Sequence, residues 1–471
     1  MGPAGSPADL RTAESEKLRR ALAQALRHAR RSGRPTLASH TIDLEPSVDP
    51  ATWAYASRRP GEDWFLFEQP EHDRAAIGAL GVACRIDARG PGRFREVADR
   101  WRELAADAVV GEGPGPIATG GFAFAPDGGA AAHWQPYAPA SLIVPEAAIV
   151  RRGTGVQLLL ATLAAPDDTL EELQARLEQR VGELHGGSLP LLDPAPAGRY
   201  RVLSTMPPEH HEQAVQRATE MIAAGRFRKI VLAREVQVHA PLPYNPAAIF
   251  GVLREQFPSC FNFCVGRGAS AFIAASPELL VRREGQRVST IALAASTRRS
   301  ADPSVDDHLG EQMLRDPSLR EEHEIVAQRI ERTLEPHAVW VAAAPDPEIV
   351  RIANIQHLAT PIRAQLARPM DTLELAGLMH PTPAVGGEPL ADAAPMIPAL
   401  EGLDRGWYLG PVGWTDAVGD GEFCVALRCA LLEGSVARCY AGGGIVRDSQ
   451  PDVELAETEI KLQALLPLLA G

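Results

Sequence analysis

Apolar residues recur along this chain with two different periods, and these periods divide it into predicted helices and strands. Helical spacing predicts helices over residues 13–32, 93–109, 169–184, 209–224, 246–255, 319–334, 372–379, 390–400 and 454–461. Apolar runs bounded by glycine and proline predict strands over 37–44, 63–69, 75–86, 117–124, 141–150, 156–162, 229–239, 262–266, 271–275, 279–283, 287–292, 339–343, 352–363, 410–415, 422–432 and 435–445. Because strands outnumber strand–helix–strand units, the pattern favours an α+β fold with mainly antiparallel sheets.

The 471 residues have room for two or three domains, or for one large domain built from two similar halves. Composition marks one internal linker, over residues 185–198, and the series of helices and strands starts again after it. The sequence therefore predicts a flexible leader with an N-terminal helix over 1–35, an N-terminal half with the linker over 36–198, and a C-terminal half over 199–471.

Charge and cysteine content exclude several classes of protein. The net charge of −13 argues against general nucleic-acid binding, so an anionic ligand has to be attracted by local arginines. The six cysteines form no CxxC pair and no zinc spacing, which indicates reduced structural thiols. No apolar run reaches membrane length, and the N-terminus has no hydrophobic signal core. We therefore expect a cytoplasmic protein with neither a nucleic-acid nor a membrane partner.

The most informative stretch for function is a glycine turn near the C-terminus, AGGG over residues 441–444, followed by a predicted helix. Glycines allow backbone N–H groups to approach an anion closely, and a following helix adds its dipole. On that helix Glu454, Glu457 and Lys461 share one face, at i, i+3 and i+7. Two interpretations stay open at this point: a solvated face with a Glu457–Lys461 pair, or a metal ion that joins carboxylates to an acidic ligand.

Four other residues have both a structural and a chemical interpretation. Glu322 lies in an acidic first helical turn, which favours the helix N-terminus but also supplies oxygen ligands suited to magnesium. Lys229 begins a strand. It is either a solvated strand end or, if its surroundings lower its pKa, a general base. Glu278 precedes an apolar strand. It is either the polar start of that strand or a carboxylic acid that is kept protonated near a pocket. Arg428 interrupts an apolar run, and a buried arginine needs an anion.

The order of nine blocks over residues 229–461 resembles the chorismate-using enzymes, specifically the isochorismate synthases. The blocks are KIVLAR at 229–234, SPE at 276–278, IALAASTR at 291–298, EHEIV at 322–326, HLAT at 357–360, HPTPAVGG at 380–387, LRCA at 427–430, AGGGIV at 441–446 and the helix face with Glu454, Glu457 and Lys461. The segments GGFAF at 120–124 and SLIVP at 141–145 are similar to the N-terminal half of the long, menaquinone-pathway type.

The resemblance implies one α+β domain in which two similar halves pack large antiparallel sheets together, with helices outside. It also implies a magnesium-dependent, reversible conversion of chorismate to isochorismate. In that reaction Lys229 is the general base that activates water for attack at ring carbon 2, and Glu278 is the general acid for the hydroxyl that leaves carbon 4. Glu322 and Glu457 ligate Mg²⁺, with Glu454 beside them. The substrate-binding residues that the resemblance implies are Ala295, Ser296, His357, Thr360, Ala384, Arg428, Gly442, Gly443, Gly444 and Lys461.

Single positions separate the sister enzymes. Anthranilate synthase-like members typically have glutamine at the position of Lys229, and a lysine nucleophile of some aminodeoxychorismate synthases takes the position of Ala294. Salicylate synthases tend to have threonine at the position of Ala384. These comparisons favour isochorismate as the product, without a glutamine amidotransferase subunit, in a monomer or weak homodimer. Ala295 stands where the family usually has glycine, in a turn whose backbone faces substrate.

Three alternatives remain open from the sequence. The isochorismate could serve siderophore or salicylate synthesis instead of menaquinone synthesis. The enzyme could be a salicylate synthase, or the chain could be a relative that binds chorismate-like dianions without catalysis.

Overall fold

The computed structural model describes residues 12–72, 74–193, 198–352 and 355–471, and this part of the chain contains helices α1–α13 and strands β1–β23. The helices are α1 Thr12–Ser32, α2 Pro50–Ala56, α3 Arg93–Ala106, α4 Leu170–Gly182, α5 Pro208–Ala223, α6 Pro246–Gln256, α7 Pro303–Arg315, α8 Pro317–Leu334, α9 Thr372–Met379, α10 Leu390–Ala393, α11 Met396–Glu401, α12 Pro451–Leu462 and α13 Leu466–Ala470. The strands are β1 Thr36–Leu44, β2 Trp64–Gln69, β3 Ala75–Leu80, β4 Cys84–Ala88, β5 Val109–Val110, β6 Ile117–Phe122, β7 Ala140–Val144, β8 Ala147–Arg152, β9 Gly155–Ala164, β10 Arg201–Ser204, β11 Lys229–His239, β12 Phe261–Arg267, β13 Ser270–Ser276, β14 Leu279–Glu284, β15 Arg287–Arg298, β16 Ala338–Ala343, β17 Glu348–Ile352, β18 Ile355–Leu366, β19 Gly387–Glu388, β20 Pro411–Asp416, β21 Gly421–Val425, β22 Cys429–Glu433 and β23 Val436–Ile445.

The described strands form two large sheets, one of 13 strands and one of 10. Their pairings are antiparallel except that of β1 with the short β5. The prediction of an α+β fold with mainly antiparallel sheets is therefore confirmed. Within the described residues, no helix is both long and apolar enough to cross a bilayer.

The order of strands repeats between the two ends of each sheet. In the larger sheet β2 and β12 lie side by side, and the order outward is β2-β3-β8-β9-β1-β5 on one side and β12-β13-β22-β23-β11-β10 on the other. In the smaller sheet β6 and β20 are neighbours, followed by β7-β4 and by β21-β14. Strands up to β9 and strands from β10 onward therefore form two similar halves that share both sheets. The domain boundaries at 35/36 and 198/199 stay predictions, and residues 1–11 of the leader and 194–197 of the linker lie outside the described residues.

The prediction of a single strand is wrong for three segments, because each consists of two strands that belong to different sheets. The segments are 75–86, 141–150 and 422–432, and they correspond to β3 with β4, β7 with β8, and β21 with β22. In the last of them the chain changes sheets next to Arg428, which has a positive φ of 46°. Gly81, Pro145 and Arg428 lie in the three breaks, but the segments on both sides of each break are apolar and buried, so the pattern predicts one strand for each.

The sequence also missed helices α2 and α7. Both begin with proline after an aspartate whose side chain accepts backbone N–H groups of the first turn, which is a strong local start signal. The predicted helix over 390–400 is two short helices, α10 and α11. Helix α4 begins with a complete capping box formed by Thr169 and Glu172.

The main apolar core lies between the two sheets. It joins Phe263 and Phe272 of the larger sheet with Phe122 and Phe423 of the smaller one. A second cluster packs helices α2 and α6 onto the opposite face of the larger sheet. Strand β11 pairs with β23, and Val231, Leu232 and Ala233 lie opposite the three glycines of residues 442–444. This pairing brings Lys229, at the start of β11, to the end of the glycine strand.

Candidate active site

A cavity lies between β11 and β23 of the larger sheet and β15 and α8. It is lined by Lys229, Val231, Pro277, Glu278, Leu293, Ala294, Ala295, Ser296, Glu322, His357, Ala384, Tyr408, Leu409, Leu427, Arg428, Tyr440, Ala441, Gly442, Gly443, Gly444, Glu457 and Lys461. All but two of the predicted site residues therefore line one space. The exceptions are Thr360 and Glu454.

Lys229 is held in place as the first residue of β11, whose backbone pairs with β19 and β23. Its side chain is only 1% exposed, and Nζ donates a hydrogen bond to Oε1 of Glu322 at 3.0 Å. Glu322 projects from the first part of α8, which packs on β15. This buried pair places a primary amine at the cavity wall, where it can exchange a proton with a bound molecule.

Glu278 lies between β13 and β14, at a point where the chain passes from one sheet to the other. Its N–H donates to Oγ of Ser276 at 3.2 Å, and its carbonyl accepts the N–H of Val425 at 3.0 Å. Burial raises the pKa of the Glu278 carboxyl to about 8, although the charges of Lys229 and Arg428 act in the opposite direction. Glu278 is therefore a carboxylic acid that is protonated at neutral pH and can donate a proton.

A hydrogen-bonded chain fixes the orientation of Arg428. Nδ1 of His357 lies 3.2 Å from the carbonyl oxygen of Ala295 and has to be the protonated nitrogen, which leaves Nε2 as an acceptor. Nη2 of Arg428 donates to that Nε2 at 2.7 Å. Burial, followed by the charge of Arg428, keeps the pKa of His357 well below its usual value, so the ring stays neutral.

The other donors of Arg428 have no partner. The residue is 8% exposed, and Nε and Nη1 make no hydrogen bond within the described part of the chain. Leaving charged donors unpaired in a buried position is costly, so the site is built for an anion that supplies acceptor oxygens. The sequence-based expectation that Arg428 needs an anion agrees with this geometry.

Ala295 occupies a bulge in β15. The register with β18 shifts between Ala294 and Ser296, and Ala295 has a positive φ of 59°. A left-handed residue costs an alanine about 1 kcal/mol, whereas glycine adopts this conformation freely. The bulge turns the carbonyl of Ala295 toward His357, which explains why the backbone at this position matters for the site.

Glu457 and Lys461 form the predicted i, i+4 pair, with 2.5 Å between Oε1 and Nζ. The pair lines the cavity, so it is not the solvated face of the structural interpretation. Burial raises the pKa of Glu457, but Lys461 and the 2.7 Å hydrogen bond from Oγ of Ser296 outweigh it, and the net pKa is lowered. Nζ of Lys461 also donates to the carbonyl of Gly442 at 2.9 Å.

Glu454 lies behind the glycine strand. Its Oε2 is buried without a hydrogen-bond partner in the described residues, and a Cβ atom added to Gly443 would be 3.0 Å from it. Burial, followed by the charges of Glu457 and Glu322, raises the pKa of Glu454 to about 7. A side chain at position 443 would require the carboxylate of Glu454 to move by a few tenths of an ångström.

The chemistry of the carboxylates fits a hard divalent cation. Glu322, Glu454 and Glu457 supply only oxygen donors, repel one another, and include one buried oxygen without a partner. A cation would relieve that repulsion. Among the described residues no three His, Cys, Asp or Glu side chains already surround one point. Glu322 and Glu457 each have an oxygen beside a lysine, Lys229 and Lys461.

Thr360 is not among the residues that line the cavity. Its hydroxyl lies 2.7 Å from Nε2 of His323, and its predicted contact with substrate stays a prediction. Sequence reasoning also missed the apolar wall of the cavity. Tyr408 and Tyr440 stack there with ring centroids 5.1 Å apart, and Leu293 and Leu427 complete it. Tyr440 directly precedes the glycine motif and was the available signal.

Comparison with known proteins gives consistent relatives over nearly the whole chain. The family model described as chorismate binding enzyme matches residues 21–470. A salicylate biosynthesis isochorismate synthase of Pseudomonas aeruginosa is 36% identical over 462 residues, covering 96% of this chain and 94% of the relative. The isochorismate synthase MenF of Bacillus subtilis is 29% identical over 471 residues, covering 98% and 99%.

Solved structures agree with this result. The menaquinone-specific isochorismate synthase of Escherichia coli superimposes with a TM-score of 0.78 at 27% identity, covering 96% of this chain and all of that one. Anthranilate synthase component I of Streptococcus pneumoniae has a TM-score of 0.60 at 19% identity, covering 91% and 92%, and shares the fold. The α+β architecture, the cavity and the family match over residues 21–470 lead to one conclusion: this chain belongs to the chorismate-binding enzyme family.

Proposed function

We propose that the chain is an isochorismate synthase, an isomerase that interconverts chorismate and isochorismate. The observation that carries the proposal is that Lys229 and Glu278 line the same cavity. The amine of Lys229 lies beside the carboxylate of Glu322, and burial keeps the carboxyl of Glu278 protonated. A reaction that removes a proton from water and gives one to a leaving hydroxyl needs this combination of base and acid. The names of the relatives over the full chain support the same activity.

In the proposed reaction Nζ of Lys229 accepts a proton from water, whose oxygen forms a bond to ring carbon 2. The electron pairs of the ring double bonds shift, and the bond between carbon 4 and its hydroxyl breaks. Glu278 donates its proton to that oxygen, so water leaves as the second product. In the reverse direction the two residues exchange roles, which is consistent with a reversible isomerisation.

The dianionic substrate fits the charges of the cavity. Arg428 offers Nε and Nη1 to one carboxylate, and the backbone of Gly442, Gly443 and Gly444 allows close approach of an oxygen. Lys461 adds a second positive charge on the same wall. The stacked tyrosines 408 and 440 supply the apolar surface for the ring.

We also propose Mg²⁺ as the cofactor, held by Glu322 and Glu457 with Glu454 adjacent. Bound Mg²⁺ supplies positive charge that holds the ring carboxylate and stabilises negative charge during the reaction. Ser296 and Lys461 orient Glu457 through its Oε1, and the Lys229–Glu322 pair places the base beside the same carboxylates. The unpartnered Oε2 of Glu454 supports this assignment.

We propose that the product is used in menaquinone synthesis, because the chain resembles the long type of the family and the menaquinone-specific enzyme of Escherichia coli. Salicylate or siderophore synthesis is the second candidate, and the 36% identity with the salicylate biosynthesis enzyme favours it. Deletion of the gene in its own organism distinguishes the two: the first candidate predicts loss of menaquinone, and the second predicts loss of salicylate or siderophore while menaquinone is retained.

The activity test is a product assay with purified protein, chorismate and Mg²⁺, without ammonia. Isochorismate is the expected product, in a mixture that approaches the same equilibrium from either side. Salicylate plus pyruvate would reassign the chain to the salicylate synthases. Product only after addition of a glutamine amidotransferase would reassign it to the ammonia-using members. Binding of chorismate by calorimetry without turnover would support the non-catalytic alternative.

The remaining expectations concern assembly and location. We propose a monomer or weak homodimer that works in the cytoplasm without an amidotransferase subunit. Light scattering across a range of protein concentrations measures the assembly, and a stable higher oligomer would contradict it.

A further inference from the structure

A second cavity lies outside the site described above and shares no lining residue with it. This groove, of about 750 Å³, runs between the start of α3, the segment after β6, the end of α9 and the short helices α10 and α11. Its walls are mainly apolar and include Phe94, Phe124, Pro381, Ile397 and Pro398. Ligand sites in proteins have this size and this apolar lining, with a few polar groups that fix orientation.

Four charged side chains line the groove, those of Arg93, Asp127, Asp404 and Arg405. Arg405 pairs with Glu401, and Asp404 accepts three backbone N–H groups. Among the described residues Arg93 makes no ion pair.

Arg93 is 4% exposed, and Nη2 donates to the carbonyls of Ala123 at 2.9 Å and Phe124 at 3.3 Å. Its Nε is buried and has no hydrogen-bond partner in the part of the chain that the structure describes. Burial lowers the pKa of Arg93 to about 10, and the charge of Asp127 acts in the opposite direction. A buried guanidinium with a free donor calls for an acceptor anion.

The neighbours of Arg93 supply an aromatic surface. The ring of Phe94 lies under the guanidinium, 4.8 Å from it, and Phe124 meets His380 edge to face at 5.8 Å. Nε2 of His380 lies 3.0 Å from the carbonyl of Phe124, and burial lowers the pKa of His380 to about 3, so His380 is neutral. The free positive charge of this part of the wall is therefore that of Arg93. A ligand that fits has one negative charge and a flat apolar body.

We propose that this groove is a second ligand site, separate from the chorismate cavity, for a small aromatic carboxylate whose carboxyl group binds Arg93. The ring packs between the phenylalanine and proline side chains of the walls. The wall also leads to the first cavity: Arg405 lines the groove and donates to the carbonyls of Val231 at 2.8 Å and Val385 at 3.0 Å. Val231 also lines the chorismate cavity. Arg405 therefore connects the groove with the wall of that cavity.

The test uses benzoate as the probe and calorimetry as the measurement, so it does not depend on the proposed activity. Benzamide, of the same shape without the charge, is the ligand control. Two variants address the groove: Arg93→Met removes the guanidinium, and Ala394→Phe places a large ring in the groove wall while Arg93 itself is unchanged. Arg428→Met removes the anion-binding arginine of the other cavity. Thermal unfolding of each variant checks its fold.

Benzoate is expected to bind the wild type and Arg428→Met alike and benzamide to bind neither. Loss of one charge-assisted hydrogen bond weakens binding by about 10-fold or more, which is the effect expected for Arg93→Met. Ala394→Phe is expected to abolish benzoate binding in the groove. If Arg93→Met does not fold, this variant by itself tests whether benzoate binds there. The proposal is overturned by benzoate that binds only through Arg428, by equal binding of benzamide, by groove variants that bind as the wild type does, or by no binding at millimolar concentration.

Discussion

Arg428 and His357 form a buried pair in which the guanidinium donates to the imidazole at 2.7 Å, with no carboxylate in the pair. The carbonyl of Ala295 fixes the tautomer that makes this possible. The pair orients the arginine without neutralising it, so its full charge remains available to a ligand. A salt bridge at the same place would hold the arginine equally well and would compete with the substrate.

This arrangement predicts the effect of His357→Ala. Loss of the acceptor frees the guanidinium to rotate, so the KM for chorismate should rise by about 10-fold or more, as for a hydrogen bond to a charged group, while kcat changes less. Steady-state kinetics measure both constants. Leu358→Ala, at the next and buried position of β18, is the control for general disturbance of the strand. An unchanged KM in His357→Ala would exclude the proposed role.

Lys229→Gln tests the base. Glutamine keeps a hydrogen-bond donor for Glu322 but cannot take a proton from water, so turnover should fall by about 10²–10⁴-fold while chorismate still binds. Product assays and calorimetry on the same preparation measure the two properties. Arg228→Gln, at the adjacent and exposed position, is the matched control and should be active. An active Lys229→Gln variant would remove Lys229 as the base.

The raised pKa of Glu278 predicts a pH-dependent stability. The folded state binds the proton more tightly than the unfolded chain, because burial raises the pKa from 4.5 to about 8. The stability from this group is therefore fully present below about pH 4.5 and is lost as the pH rises to about 8. Relative to the wild type, Glu278→Gln should gain unfolding temperature between pH 5 and pH 8. Thermal melts across this range measure the difference, and a constant difference would contradict the assigned pKa.

Glu457→Gln tests the metal assignment. Loss of one carboxylate should raise the Mg²⁺ concentration needed for half-maximal activity about 10- to 100-fold, the usual effect of weakening a metal site. Glu459→Gln is the matched control, since Glu459 lies on the same helix and is 61% exposed. Mg²⁺ titrations of both variants give the result. The same Mg²⁺ requirement in both would mean that Glu457 is not a ligand.

Ala295→Gly tests the strained bulge. Glycine relieves the left-handed conformation, so the variant should gain up to about 1 kcal/mol in unfolding free energy. Ala294→Gly, one residue earlier and without a positive φ, should instead lose about 0.5–1 kcal/mol. Denaturant unfolding of the two variants measures the difference in sign. A loss of stability in both would show that Ala295 carries no strain.

Local signals were enough for much of the fold. Strand β11 and helix α9 have their predicted bounds because their apolar periods end at strong punctuation, and the capping box at Thr169 is formed within one turn. The change of sheet between β21 and β22 was not predicted, because both strands are buried and apolar and the sequence does not show that they belong to different sheets. Residues with unusual backbone, such as Arg428, mark the breaks only once the structure is known.

For the site, the sequence by itself determined which residue types are present: a lysine at a strand start, carboxylates on two helices, an arginine in an apolar run and three glycines. These depend on composition and short-range order. Only the tertiary structure decided that Glu322 pairs with Lys229, that Thr360 contacts His323, and that burial keeps Glu278 protonated. The physical reason is that desolvation and pairing depend on residues distant in sequence, which meet only when the two sheets pack.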